Sequence, residues 1–199
     1  IGFCLVGSEM CIRDSYGTRW YEDEVESNGE KTKQGNAFTG FTLVGHVGLL
    51  PMISLGASLS QFSLADRDKK RNGIEFSSAT FTELGLDALI EIPLIPIITP
   101  FGRANLPLMS SFKGEGTALG SKFTSESDFA SIGDIFLSVG AEYSPIPLIG
   151  ITLEAGHGVA MQKATKSEFG GQDTLTDPHD KDANGVTMQT VMLGVNAGF

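Results

Sequence analysis

The chain has 199 residues, with 24 acidic against 14 basic side chains, a formal net charge of −10 and 41% hydrophobic residues. The acidic balance argues against a nucleic-acid partner, which demands a basic face. No apolar run reaches the roughly eighteen residues that a transmembrane helix needs, although a composition this mild also suits a chain that crosses a bilayer as alternating strands.

The first residues stand apart. Cys4 to Ser15, CLVGSEMCIRDS, resembles the translated read-through of a sequencing adapter. The apolar start Ile1 to Val6 admits a second reading, the remnant of a secretory signal, but it lacks a basic region and a small-residue cleavage site. Residues 1–15 are therefore read as a non-native extension and residues 16–199 as one domain, with the native signal peptide and part of the first strand expected to be missing. Both cysteines, Cys4 and Cys11, fall in the extension, so disulfide, zinc and thiol-nucleophile chemistry are not expected of the remainder. No cofactor is expected.

From there the pattern predicts strands joined alternately by long polar loops and short turns. Strand one is expected at about 16–25 with Trp20 and Tyr21, followed by the loop SNGEKTKQGN. Strand two is expected at 38–49, closing tightly through Leu50, Pro51 and Met52. Strand three, 53–64, sets Ile53, Leu55, Ala57 and Leu59 against Ser54, Gly56, Ser58 and Ser60, a period of two. The charged loop ADRDKKRNG leads to strand four, 76–92, with Leu84, Leu86, Ala88, Ile90 and Ile92 opposite Glu83, Gly85, Asp87 and Glu91. After the turn PLIP, strand five at 97–109 carries Arg103 and Asn105 on its polar face. Pro100 and Pro107 are its weak points, expected to mark bulges or an earlier end. A long loop, 110–131, precedes strand six at 132–143, where Ile135, Leu137, Val139, Ala141 and Tyr143 oppose Asp134, Ser138, Gly140 and Glu142. The turn SPIP leads to strand seven at 148–161, an acidic loop occupies 162–184, and the last strand begins near Val186.

Eight strands with short connections at one end and long ones at the other predict an all-β fold. The expected form is an antiparallel up-and-down transmembrane β-barrel with short periplasmic turns and long external loops. Period two does not say which face points inward, and a soluble lipocalin-like barrel would bury the apolar set. The polar set is mostly Gly, Ser and Thr with isolated charges, which suits a crowded wet lumen better than a solvated exterior. Trp20, Tyr21, Phe38, Phe41, Phe76, Phe81, Tyr143 and Phe199 fall near strand ends, as an interfacial girdle would.

The final strand alternates Val191, Leu193, Val195, Ala197 and Phe199 with Thr190, Gly194, Asn196 and Gly198. Its ending MLGVNAGF resembles the C-terminal assembly signal of bacterial outer-membrane barrels, carried by Gly194, Ala197 and Phe199, with Ala197 where a larger residue is commoner. From Tyr16 to Phe199 the chain looks like the eight-stranded OmpA/OmpX class. That resemblance implies a monomer in the outer membrane, recognised by the barrel-assembly machinery and in contact with membrane lipids and lipopolysaccharide. It further implies a role in envelope integrity, adhesion or host contact.

Four groups of residues invite chemical readings. Asp87, Arg103 and Glu154 fall at similar depth on three strands, either a gate or proton path or, as favoured here, a structural plug. Barrel enzymes that deacylate lipid A carry a His-x-Ser pair. Here His46, His157 and His179 are followed by Val47-Gly48, Gly158-Val159 and Asp180-Lys181, so no enzyme is expected. Asp180, Asp182, Asn184 and Gly185 spell the opening of a calcium loop, but Val191 stands where its closing Glu belongs, leaving a weak metal candidate. Arg67, Lys69, Lys70 and Arg71 are either lipid-phosphate contacts or a solvated loop. The expected function is non-enzymatic, structural or surface-interacting, with a narrow solute pore and a lipid-A-modifying enzyme as alternatives.

Overall fold

The structure, a computed structural model, describes residues 10–27, 30–66, 70–71, 74–93, 97–129, 135–146, 149–169, 172–173 and 184–198. Among these residues eleven strands make one antiparallel sheet: β1 (Met10–Ser27), β2 (Glu30–Leu50), β3 (Ile53–Leu64), β4 (Lys70–Arg71), β5 (Ile74–Glu91), β6 (Ile98–Ala118), β7 (Ser121–Phe129), β8 (Ile135–Ile146), β9 (Ile149–Phe169), β10 (Gln172–Asp173) and β11 (Asn184–Gly198). Eight of them form a closed wall in the order β1-β2-β3-β5-β6-β8-β9-β11, and β11 returns to β1 from Cys11↔Gly198 to Glu22↔Thr187. Closure leaves no sheet edge along that wall, the only way a strand-built span satisfies its backbone in hydrocarbon.

The strands form because apolar and small polar residues alternate, and the alternation sorts the two faces. Leu55, Leu86, Leu137, Leu153 and Leu193 point outward, 43–60% exposed as a class with Leu59 and Leu84, while Ser58, Asp87, Ser138 and Glu154 are buried in the lumen. On four strands the outward apolar run stops at the same remove from the short-turn end. Ile53 to Leu59 gives way to Gln61, Ile90 to Leu84 gives way to Thr82, Ile149 to Ala155 gives way to His157, and Ala197 to Val191 gives way to Gln189. At about 3.3 Å per residue and a tilt near 40°, each run rises about 20 Å, close to the hydrocarbon band of an outer-membrane barrel.

Several expected loops are strand. β1 and β2 continue as a hairpin to Ser27↔Glu30, so SNGEKTKQGN is mostly ladder rather than loop. Of the expected loop at 110–131, residues 110–129 are instead the upper half of β6 paired to β7 across a two-residue turn, and 130–131 lie outside the described residues. β7 then pairs with β9 up to Phe123↔Phe169, above the place that β8 takes lower in the wall. The acidic stretch from Gln162 likewise begins as β9, and Lys70–Arg71 of the charged loop forms β4 against β5. Polar composition misleads here because these segments lie beyond the band, where a strand has no apolar face to reveal it. Leu119 and Gly120, with φ of 50° and 81°, make the two-residue turn that a tight hairpin requires.

β1 starts at Met10, six residues before the expected 16, and Arg13 and Ser15 are buried in the lumen. Pro107 lies beside a bulge, where Leu84 pairs Met109 and Gly85 pairs Pro107. Pro100 sits where the β5 ladder ends at Glu91↔Phe101, so its missing N–H interrupts little.

Candidate functional site

The lumen is the chemical centre of the molecule. Alternation brings a charged or amide side chain inward from most wall strands, and the shear of the barrel stacks them into three tiers. In the middle tier Arg103 Nε donates to Asp87 Oδ2 at 2.7 Å, and its Nη1 donates to Glu154 at 3.1 and 3.4 Å. Asp87 Oδ1 lies 2.7 Å from His46 Nε2, and Asn105 Nδ2 donates to Oδ2 at 3.1 Å. Asn105 also reaches Ser58, and Ser138 donates to Glu154. One network thus braces β2, β3, β5, β6, β8 and β9 through the interior. Arg103, Asp87, Glu154 and His46 are each at most 5% exposed, so every charge depends on its partners rather than water.

Nearer the short turns, Arg13 Nη2 donates to Glu142 at 3.2 Å and to Glu91 at 3.5 Å, and its guanidinium stacks 4.3 Å from the Phe101 ring centre. Asn196 Nδ2 and Ser144 also donate to Glu142. Towards the hairpins, Arg19 Nη1 donates to Glu83 at 3.1 Å, and its guanidinium lies 4.4 to 5.6 Å from the rings of Phe62, Phe136 and Phe81. Above it an apolar layer of Phe38, Phe62, Leu64, Ala79, Phe81 and Met188 fills the bore, with Phe76 and Phe112 packed against it.

This layer corrects the expected girdle. Phe38, Phe76 and Phe81 point into the barrel, whereas Phe41 and Tyr143 face outward. The physical reason is the company the rings find there: Phe38 packs edge-on against Phe112 at 6.1 Å, Phe76 against Phe123 at 5.3 Å, and Phe81 lies 5.6 Å from the Arg19 guanidinium.

Asp87, Arg103 and Glu154 therefore meet. Glu83, Glu91 and Glu142 were legible as polar-face residues, but their partners Arg19 and Arg13 were not, because the stagger between strands decides which side chains share a tier. Of the histidines, His46 lies in the central network, His157 faces outward, and His179 lies outside the described residues. Asp180 and Asp182 also lie outside the described residues, and Asn184 opens β11. Among the described residues no group of three His, Cys, Asp or Glu is placed to hold a metal. In the terminal strand Gly194 pairs Ser15 and Thr152, Ala197 pairs Ile12 and Ile149, and Phe199 lies outside the described residues.

A closed antiparallel barrel with an apolar outer band and a charged, packed lumen defines a class, the small eight-stranded transmembrane barrel of bacterial outer membranes. No family model and no curated protein matches the chain. Among solved structures it is similar to Ail, the attachment invasion locus protein of Yersinia pestis, at 12% identity and a TM-score of 0.55, with 100% of both chains covered. The same protein in complex with the heparin analogue sucrose octasulfate gives 13% identity and 0.52, covering 96% of this chain and 98% of that one. A major outer membrane protein from Thermus thermophilus gives 13% and 0.50, covering 94% and 99%. At such identities the likeness concerns the fold.

Proposed function

We propose that this barrel is a non-enzymatic, non-conducting surface protein of the outer membrane, serving envelope integrity or contact with external molecules. The observation that carries it is the filled lumen. Three arginine-centred tiers and an aromatic layer cross the bore, while β2, β6 and β9, 21 residues each, rise far beyond the membrane. A strand of that length reaches roughly 50 Å along the axis, about twice the band. The excess forms hairpins able to present side chains well clear of the lipid surface. The barrel works as a monomer, delivered by the barrel-assembly machinery and bathed by lipopolysaccharide on its outer half.

The non-enzymatic reading is supported by the engagement of His46 with Asp87 in the packed lumen and by the absence of a serine two residues after any histidine. Conductance across planar bilayers tests the reading. The filled lumen predicts no discrete steps from the wild-type chain at neutral pH, and reproducible unitary steps would favour the narrow-pore alternative. Release of fatty acid from lipopolysaccharide by the purified chain would favour the enzyme.

A further inference from the structure

The outward apolar band is bounded by polar residues at one end only. Towards the hairpins it gives way to Gln61, Thr82, His157 and Gln189, whereas towards the short turns it runs on until the chain reverses. Leu50, Pro51 and Met52, then Ile92, Pro93 and Ile97, then Pro145 and Ile146 are all exposed there, Leu50, Met52 and Ile146 by 50–61%. The stretches 43–65, 92–102 and 143–153, each a turn with its flanking strand residues, contain no Lys, Arg, Asp or Glu. Ser144, the polar residue of the last turn, is buried and donates to Glu142 in the lumen. Turns that stand in water are built mostly from Gly, Asn, Asp and Ser, so this rim is out of place there.

Height and backbone together indicate what covers it. The outward runs within the strands rise about 20 Å, some 5 Å short of the roughly 25 Å apolar band of such a barrel. Two further residues at about 3.3 Å each and the same tilt supply the difference. Five of the chain's eight prolines, Pro51, Pro93, Pro96, Pro145 and Pro147, fall in the three turns, and each removes an N–H that hydrocarbon could not satisfy. The carbonyls of Met52, Pro100 and Ile97 accept from the N–H groups of Glu91, Ile92 and Ser144 at 2.9 Å, so neighbouring strands satisfy the turn ends. We propose that the three short turns are lodged in the inner leaflet, at the boundary between acyl chains and headgroups, and do not stand in periplasmic water. The proposal rests on the lipid-facing reading of the wall and goes beyond it, since it gives the turn end its own partner, the phospholipid of the inner leaflet. The Arg13 tier at the floor of the lumen then faces headgroups, and Tyr143, outward one row above the last turn, extends its hydroxyl along the wall to the same level.

The test uses the full chain with Trp20→Phe, refolded into phosphatidylcholine vesicles, with one new tryptophan at a time. Met52→Trp and Ile146→Trp are expected to lose most of their emission to bromine carried near the headgroup end of the acyl chain, and little to acrylamide in the water. Leu55→Trp in the wall should behave alike with bromine placed deeper, and Leu119→Trp at the hairpin tip should show the reverse. Tryptophan itself favours interfaces, so a second variant removes that bias. Met52→Lys combined with Ile146→Lys should lower the urea midpoint in vesicles and leave stability in detergent micelles unchanged, because a micelle yields where a bilayer must admit the charge. Turn tryptophans quenched by acrylamide as fully as Leu119→Trp overturn the proposal and assign the rim to a protein partner. A lysine pair that is neutral in vesicles, or that costs as much in micelles, overturns it too. Acrylamide quenching of Leu55→Trp overturns the lipid-facing wall itself.

Discussion

Arg103→Met offers the sharpest perturbation of the lumen. The arginine is 5% exposed and serves Asp87 and Glu154 at once, so the methionine leaves two carboxylates without their cation in a place water hardly reaches. Breaking a buried pair by removing one partner costs about 3–5 kcal/mol. The loss should not divide evenly. Asp87 keeps His46 at 2.7 Å and Asn105 at 3.1 Å, whereas Glu154 keeps Ser138. In the Arg103→Met background, Glu154→Gln should therefore recover more stability than Asp87→Asn, and the triple variant should recover most of it. Urea unfolding in lipid vesicles, followed by the fluorescence of the single tryptophan, Trp20, measures each step. A neutral single variant, or a larger rescue from Asp87→Asn, would refute the account of the central tier.

Asp14 faces outward between Leu43 and Val195, a carboxylate on an apolar wall. Asp14→Leu should stabilise the barrel in vesicles by about 1–2 kcal/mol, and destabilisation would mean that the carboxylate has a use there. Leu119 stands 93% exposed at the tip of the β6–β7 hairpin with φ of 50°, a conformation that asparagine tolerates better. Leu119→Asn should raise thermal stability by about 0.5–1 kcal/mol, and a lower midpoint would contradict that. Deleting Phe199 should leave refolding into detergent nearly normal but strongly reduce the outer-membrane level in cells; equal loss in both settings would make it ordinary packing.

The sequence showed the eight-stranded wall plainly, because lipid on one side and a crowded lumen on the other force a strict alternation. Leu86 against Asp87 and Leu153 against Glu154 are legible without coordinates. The strand lengths were not legible. Above the band both faces of β6 and β7 meet water or each other, so Lys113 and Glu126, an ion pair on facing strands at 3.5 Å, read as loop. Nor were the inward aromatics legible. Phe38 and Phe81 sit near strand ends, as girdle residues would, and only their neighbours, Phe112 beside Phe38 and Arg19 beside Phe81, reveal that they turn inward. Asp87 and Glu154 stood out as polar-face acids, whereas the pairing of Arg19 with Glu83 depends on a stagger that no single strand encodes.

The central claim is the inside-out arrangement of the wall, and spin labels placed one at a time at Leu55, Leu86, Leu137, Leu153 and Leu193, with Ser58 and Ser138 for the lumen, test it most directly. In bilayers the five leucine positions should be open to oxygen and closed to a water-soluble relaxer, and the two serine positions should be shielded from both. Leucine positions open to the water-soluble relaxer would contradict the account and make the molecule a barrel with its apolar face in water.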